Sequence, residues 1–108
     1  DFEIEAAAIQ EIGAAFRYYQ ERAPDLGDEF LDEIRWIFAQ TLMNPQAGTL
    51  VEHDIRRRLT RRFPFSVFYL ASTDRITILA VGISAAIPSI GEDLREYQAR
   101  IKRIEAQL

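Results

Sequence analysis

Phe65-Ser66-Val67-Phe68-Tyr69-Leu70-Ala71, entered through Phe63-Pro64, is the stretch that decides the fold. Almost every position is apolar, which is the pattern of a strand covered on both faces rather than one with a wet side. Pro64 suits its start, where no ladder donor is needed, and Phe63 and Phe65 are expected in the core. Ser72-Thr73-Asp74 is a turn of hairpin length. It leads into Arg75-Ile76-Thr77-Ile78-Leu79-Ala80-Val81, a second buried strand. Upstream, Ile55, Arg57, Leu59, Arg61 and Phe63 fall on one strand face, with Arg56, Arg58, Thr60 and Arg62 on the other. Arginines on both sides mean that part of this strand faces solvent or a partner.

Farther out toward the N-terminus, Phe2, Ile4 and Ala6 alternate with Glu3 and Glu5, predicting a short strand with one wet face. Ile9, Ile12, Phe16 and Tyr19 then step by helical intervals, predicting a helix that ends near Arg22. Ala23-Pro24-Asp25 breaks it, because the residue before proline is pushed out of the helical region. Asp25 is the expected N-cap of a second helix, with Asp28 and Glu29 in its first turn. Phe30, Leu31, Ile34, Ile37, Phe38 and Leu42 form its apolar stripe, and Asn44-Pro45 stops it. Residues 45–51 read as a loop. The order β-α-α-β-β-β predicts an α+β domain, a mostly antiparallel sheet with an N-terminal helical hairpin on one face.

Beyond residue 82 the pattern changes. Gly82 to Ile90 reads as a connection, and after Gly91 the residues Leu94, Tyr97, Ile101, Ile104 and Leu108 make a heptad-like seam. The expected division is residues 1–82 as the folded domain and 83–108 as a connection plus an amphipathic C-terminal helix. That helix must bury its seam on the domain, on a second copy in a homo-oligomer, or on another protein.

The 108 residues suffice for one core. Apolar residues at 48% and charged residues at 28% are those of a globular chain rather than a disordered one. No apolar run approaches a membrane span. Without cysteine there is no disulfide framework or thiolate metal site, and the lone His53 cannot build a zinc site. No metal or cofactor is expected, and the cytoplasm is the expected compartment. The net charge of −4 hides an asymmetry. Residues 1–54 carry twelve acidic and three basic side chains; residues 55–108 carry ten basic and five acidic. The acidic balance argues against an avid, nonspecific nucleic-acid binder. A local basic strip can still dock an acidic partner, and twelve of the thirteen basic residues are arginine, suited to bidentate pairing.

Several short words in this order resemble the RelE/ParE toxin superfamily. They are Phe16-Arg17-Tyr18-Tyr19, Phe30-Leu31, Asn44-Pro45, Ile55-Arg56-Arg57, Arg62-Phe63-Pro64-Phe65-Ser66-Val67-Phe68-Tyr69 and Ile76-Thr77-Ile78-Leu79-Ala80-Val81, together spanning about residues 2–81. The resemblance implies the same α+β fold and the toxin role in a bacterial type II toxin–antitoxin pair, with a cognate antitoxin as partner. ParE-like members, associated with plasmid stabilisation, bind DNA gyrase; RelE-like members cleave messenger RNA on the ribosome. The family commonly continues after the last strand with a histidine, then an arginine and a proline, and in its RNA-cleaving members basic and aromatic residues near this end help cleave the message. Here that run is Gly82-Ile83-Ser84-Ala85-Ala86-Ile87-Pro88, without a histidine, arginine or tyrosine to hold a scissile phosphate or transfer a proton. The resemblance therefore implies a ParE-like, noncatalytic binder. The alternatives are a ribosome-dependent mRNA interferase and a non-toxic binding module on the same scaffold.

The expected target-binding residues are Arg56, Arg57, Arg58, Arg61, Arg62 and Tyr69, and the expected partner-binding residues are Leu94, Tyr97, Ile101, Ile104 and Leu108. Arg56, which matches the family's strand arginine, either contacts a target or pairs with an acid of the helical hairpin. Tyr69 either stacks on a base or sends its hydroxyl to the sheet rim. His53 is either a solvated loop side chain or a general base.

Overall fold

The structure, a computed structural model, describes residues 2–83. Strand β1 (Phe2–Ile4) leads into helices α1 (Ala6–Arg22) and α2 (Leu26–Met43), followed by β2 (Thr49–Glu52), β3 (Ile55–Leu59), β4 (Phe65–Ala71) and β5 (Ile76–Ile83). One five-stranded sheet results, in the order β1-β5-β4-β3-β2. Its neighbours are antiparallel except β1, which pairs parallel with β5 through Phe2↔Ile76 and Ile4↔Ile78. The α+β class and the early helical hairpin are as the sequence predicts. The proposed C-terminal helix and its seam residues Leu94, Tyr97, Ile101, Ile104 and Leu108 lie outside the described residues.

The two central strands are the two apolar runs. β4 lies between β3 and β5, and side chains on both its faces are buried, as a near-continuous apolar strand requires. Phe65, Val67 and Tyr69 point to the helices and join Phe30, Ile34 and Ile37 of α2 with Ala8 and Ala15 of α1. Phe68 and Leu70 point to the other face, beside Ile55, Leu79 and Ala80. A bulge makes this arrangement possible. Phe68 pairs with Ala80 but Tyr69 pairs with Ile78, so Leu79 is an extra residue and the alternation of β5 resets there.

Local chemistry shifts several expected boundaries. Thr49–Glu52, whose first three residues fall in the expected loop of residues 45–51, is an edge strand; it joins β3 through a two-residue turn in which His53 has a positive φ of 49°. The arginine strand ends at Leu59 rather than running to Phe63. There Thr60 Oγ1 turns back to the Phe63 and Phe65 carbonyls, while the Thr60 amide donates to the Phe65 carbonyl at 3.0 Å. Asp25 does occupy the position before α2, but in the left-handed region and without a side-chain cap. Gln20 Oε1 supplies the cap instead, accepting from the Gly27 amide at 2.8 Å. Ile9 and Leu42, expected in the buried stripes, are more than half exposed. Ala8 and Ala15 make the close approach on α1. On α2, Thr41 is buried because its hydroxyl donates to the Ile37 carbonyl at 2.7 Å.

A candidate partner-binding surface

The helical hairpin and the β2–β3–β4 end of the sheet converge on the arginine-rich segment. Alternation along β3 splits its arginines. Arg56 pairs with Tyr69 and Arg58 with Val67, so both point toward the helices, whereas Arg57 pairs with Phe68 and points to the other face.

Arg56 works on the loop between α2 and β2. Its Nη1 donates to the carbonyls of Gln46 at 2.9 Å and Gly48 at 2.7 Å, and Nη2 donates to Gln46 Oε1 at 2.7 Å. Arg58 works on the end of α2. Its Nη2 donates to the Gln40 carbonyl at 3.3 Å and the Asn44 carbonyl at 3.1 Å, which places a cation at the negative end of the helix dipole. Neither guanidinium pairs with an acid of the hairpin among the described residues.

Tyr69 is fully enclosed. Its hydroxyl donates to the Pro45 carbonyl at 2.8 Å and accepts from the Gly48 amide at 3.0 Å, so it reaches the rim of the sheet by holding the same loop that Arg56 holds. A ring without solvent contact cannot stack on an external base. Tyr69, Arg56 and Arg58 thus fasten one corner together.

Arg61 and Arg62 leave the sheet after β3 and cross α2. Glu33, on the buried face of α2, collects them: Oε1 accepts from the backbone amides of Arg61 at 3.1 Å and Arg62 at 2.6 Å, and Oε2 accepts from Arg61 Nε at 2.8 Å. Burial by itself would raise the Glu33 pKa, but the amides of Arg62 and Arg61 and the Arg61 guanidinium outweigh it and hold the carboxyl below its ordinary range. The Arg61 guanidinium also stacks 3.7 Å above the ring of Trp36, and Arg62 Nη2 lies 2.8 Å from Glu29 Oε1. Both side chains remain more than half exposed, at 56% and 61%. Between α2 and the β2–β3 hairpin runs a shallow cleft lined by Trp36, Ile37, Gly48, Thr49, Arg58 and Leu59.

Glu33, Gln20, Trp36 and Gly48 were not anticipated. Glu33 had a signal: it lies three residues after Phe30 and four before Ile37, so a carboxylate falls in the middle of an apolar stripe. His53 is exposed on the β2–β3 turn. No group of three or more His, Asp or Glu side chains that could hold a metal ion occurs among the described residues. No described helix is long and apolar enough to cross a membrane.

Comparison with known proteins gives two findings. The family model described as the ParE toxin of the type II toxin–antitoxin system parDE matches residues 2–88. Among solved structures, the fold is similar to a chain of the chromosomal ParDE toxin–antitoxin system from P. aeruginosa, with a TM-score of 0.58 and 20% identity over 77% of this chain and 94% of that one. It is also similar to the isolated E. coli RelE toxin, with a TM-score of 0.52 and 15% identity over 95% of this chain and 96% of that one. A search of curated proteins finds no match.

Proposed function

From the ParE toxin family of type II toxin–antitoxin systems, to which this chain belongs, we propose a toxin that acts by binding rather than by breaking a bond. Its target on this reading is DNA gyrase, its compartment is the cytoplasm, and a cognate antitoxin neutralises it. The likeness to a chain of a ParDE system supports the antitoxin partner.

The observation that carries the reading is the state of Arg61. Nε is committed to Glu33 and the guanidinium plane is committed to Trp36, while the terminal amino groups make no bond among the described residues. Arg62 beside it is braced by Glu29. Side chains fixed before contact lose little rotamer freedom on docking. A rim of such guanidiniums, extended by Arg57 around the sheet edge, complements an acidic surface and sets specificity and association rate. Arg56, Arg58 and Tyr69 serve this surface indirectly, by holding the loop and the helix end that frame it.

Fold likeness to the RelE toxin keeps a second reading, a ribosome-dependent mRNA interferase, with His53 as its candidate proton donor or acceptor. Expression in a bacterium without the antitoxin separates the readings. Growth arrest with intact messages is the expected result. Arrest with messages cut on ribosomes would replace it with the RelE-like reading, and unimpaired growth would leave a non-toxic binding module.

A further inference from the structure

The cleft between α2 and the β2–β3 hairpin adjoins the Arg61 guanidinium, because one side chain belongs to both. Trp36 lines the cleft and carries that guanidinium 3.7 Å above its ring. Ile37, Gly48, Thr49 and Leu59 supply further lining, and Leu59 keeps 56% of its surface exposed. The volume is about 270 Å³, below the range of cofactor sites but enough for one or two side chains. Arg57 and Arg58 line the cleft, and among the described residues no carboxylate does. Arg58 Nη2 is taken by the Gln40 and Asn44 carbonyls, while its Nε meets no acceptor among the described residues.

We infer that this cleft receives an aliphatic side chain from the toxin's target protein, with a neighbouring carboxylate of the same segment seated on Arg61. Arg61 sets the geometry. Its Nε is held by Glu33 Oε2 at 2.8 Å and one face of the guanidinium lies on Trp36. Among the described residues, the edge formed by its two terminal amino groups is left for a two-pronged contact, which a planar carboxylate matches. Charge selects the acid. Arg57 and Arg58 line the cleft and Arg61 adjoins it, while the nearby carboxylates Glu33 and Glu29 are already paired with Arg61 and Arg62. The lining selects the aliphatic neighbour, since contact with Trp36, Ile37 and Leu59 removes apolar surface from water. An oxygen of the incoming segment would also give Arg58 Nε the acceptor it lacks. Naming the occupant as the target rests on the reading of the chain as a binding toxin; the chemistry of the site does not.

Two measurements on the full chain test this, and the first needs no target. The chain has one tryptophan, so the Trp36 indole N–H gives a single nuclear-resonance signal. Hexanoate, an aliphatic chain ending in a carboxylate, should shift that signal saturably with a dissociation constant on the order of millimolar. Acetate, without the chain, and hexanol, without the charge, should each bind at least about five-fold more weakly. Acetate equal to hexanoate, or no saturable shift up to roughly fifty times the expected constant, would overturn the inference. So would an indole signal that moves with protein concentration alone, which would put a second copy in the cleft. The second measurement is supercoiling by purified gyrase with the exposed Leu59 replaced. Leu59→Asp, folded by circular dichroism, should need at least about ten-fold more protein for inhibition, and Leu59→Met should stay within about two-fold of the parent. Equal inhibition by the parent and Leu59→Asp would overturn the inference while the binding-toxin reading stands. Without inhibition by the parent the gyrase reading falls by itself, and saturable hexanoate binding still upholds the site.

Discussion

Gly48 and Tyr69 are packed so closely that no side chain fits between them. A Cβ on Gly48 would collide with the Tyr69 hydroxyl oxygen and come within 2.9 Å of two ring carbons. The same hydroxyl bridges the Gly48 amide and the Pro45 carbonyl, so one buried side chain sets the path from α2 into β2. Tyr69→Phe leaves a buried amide and a carbonyl unpaired and should cost about 1–3 kcal/mol in denaturant unfolding. Gly48→Ala should cost about the same through overpacking. Because the two share one contact, the double variant should lose less than the sum of the singles. Strict additivity would show that the contact is not what links them.

The carboxylate of Glu33 gives the fold an acid-sensitive clamp. Its folded pKa is depressed, so its contribution is complete above the pKa of the unfolded carboxyl, roughly 4.3, and is lost as pH falls through the lower folded value. Glu33→Gln keeps one acceptor oxygen but presents an amide to Arg61. It should lower stability by about 1–2 kcal/mol near neutral pH and flatten the acid limb of the stability profile. Equilibrium unfolding at a series of pH values checks both. An acid limb identical to that of the parent chain would mean that another carboxylate carries the effect.

The arginines should separate into two classes when replaced one at a time by alanine. Arg56 and Arg58 each hold backbone carbonyls at the α2–β2 corner, so their loss should cost about 1.5–3 kcal/mol each. Arg57, half-buried, and Arg62, exposed, hold no backbone carbonyl among the described residues, so Arg57→Ala and Arg62→Ala should stay within about 0.5 kcal/mol of the parent, as surface substitutions away from such contacts usually do. Thermal unfolding of the four variants gives the ranking.

Some of this was legible in the sequence for a simple physical reason: periodicity reports burial. The buried strands β4 and β5 and the helical hairpin have apolar patterns that only a two-layer domain satisfies, so their order was enough for the class. β2 escaped notice because an edge strand of four residues with Thr49, Leu50 and Val51 all exposed has no alternation to read. The end of β3 escaped because a single hydroxyl, Thr60 Oγ1, diverts the chain while the residues beyond it keep a strand-like composition. The division of labour among the arginines was out of reach. Residue type marks a guanidinium as able to pair, but only the register of β3 against β4 assigns Arg56 and Arg58 to backbone carbonyls, and only the crossing of α2 brings Arg61 to Glu33 and Trp36.

Inhibition of DNA supercoiling by purified gyrase tests the central claim most directly, with the parent chain and an Arg57→Ala, Arg61→Ala, Arg62→Ala variant titrated side by side. The account predicts dose-dependent inhibition by the parent, relieved by at least about ten-fold in concentration for the variant, a difference of roughly 1.4 kcal/mol in binding. Undiminished supercoiling at large excess of the folded parent would contradict it.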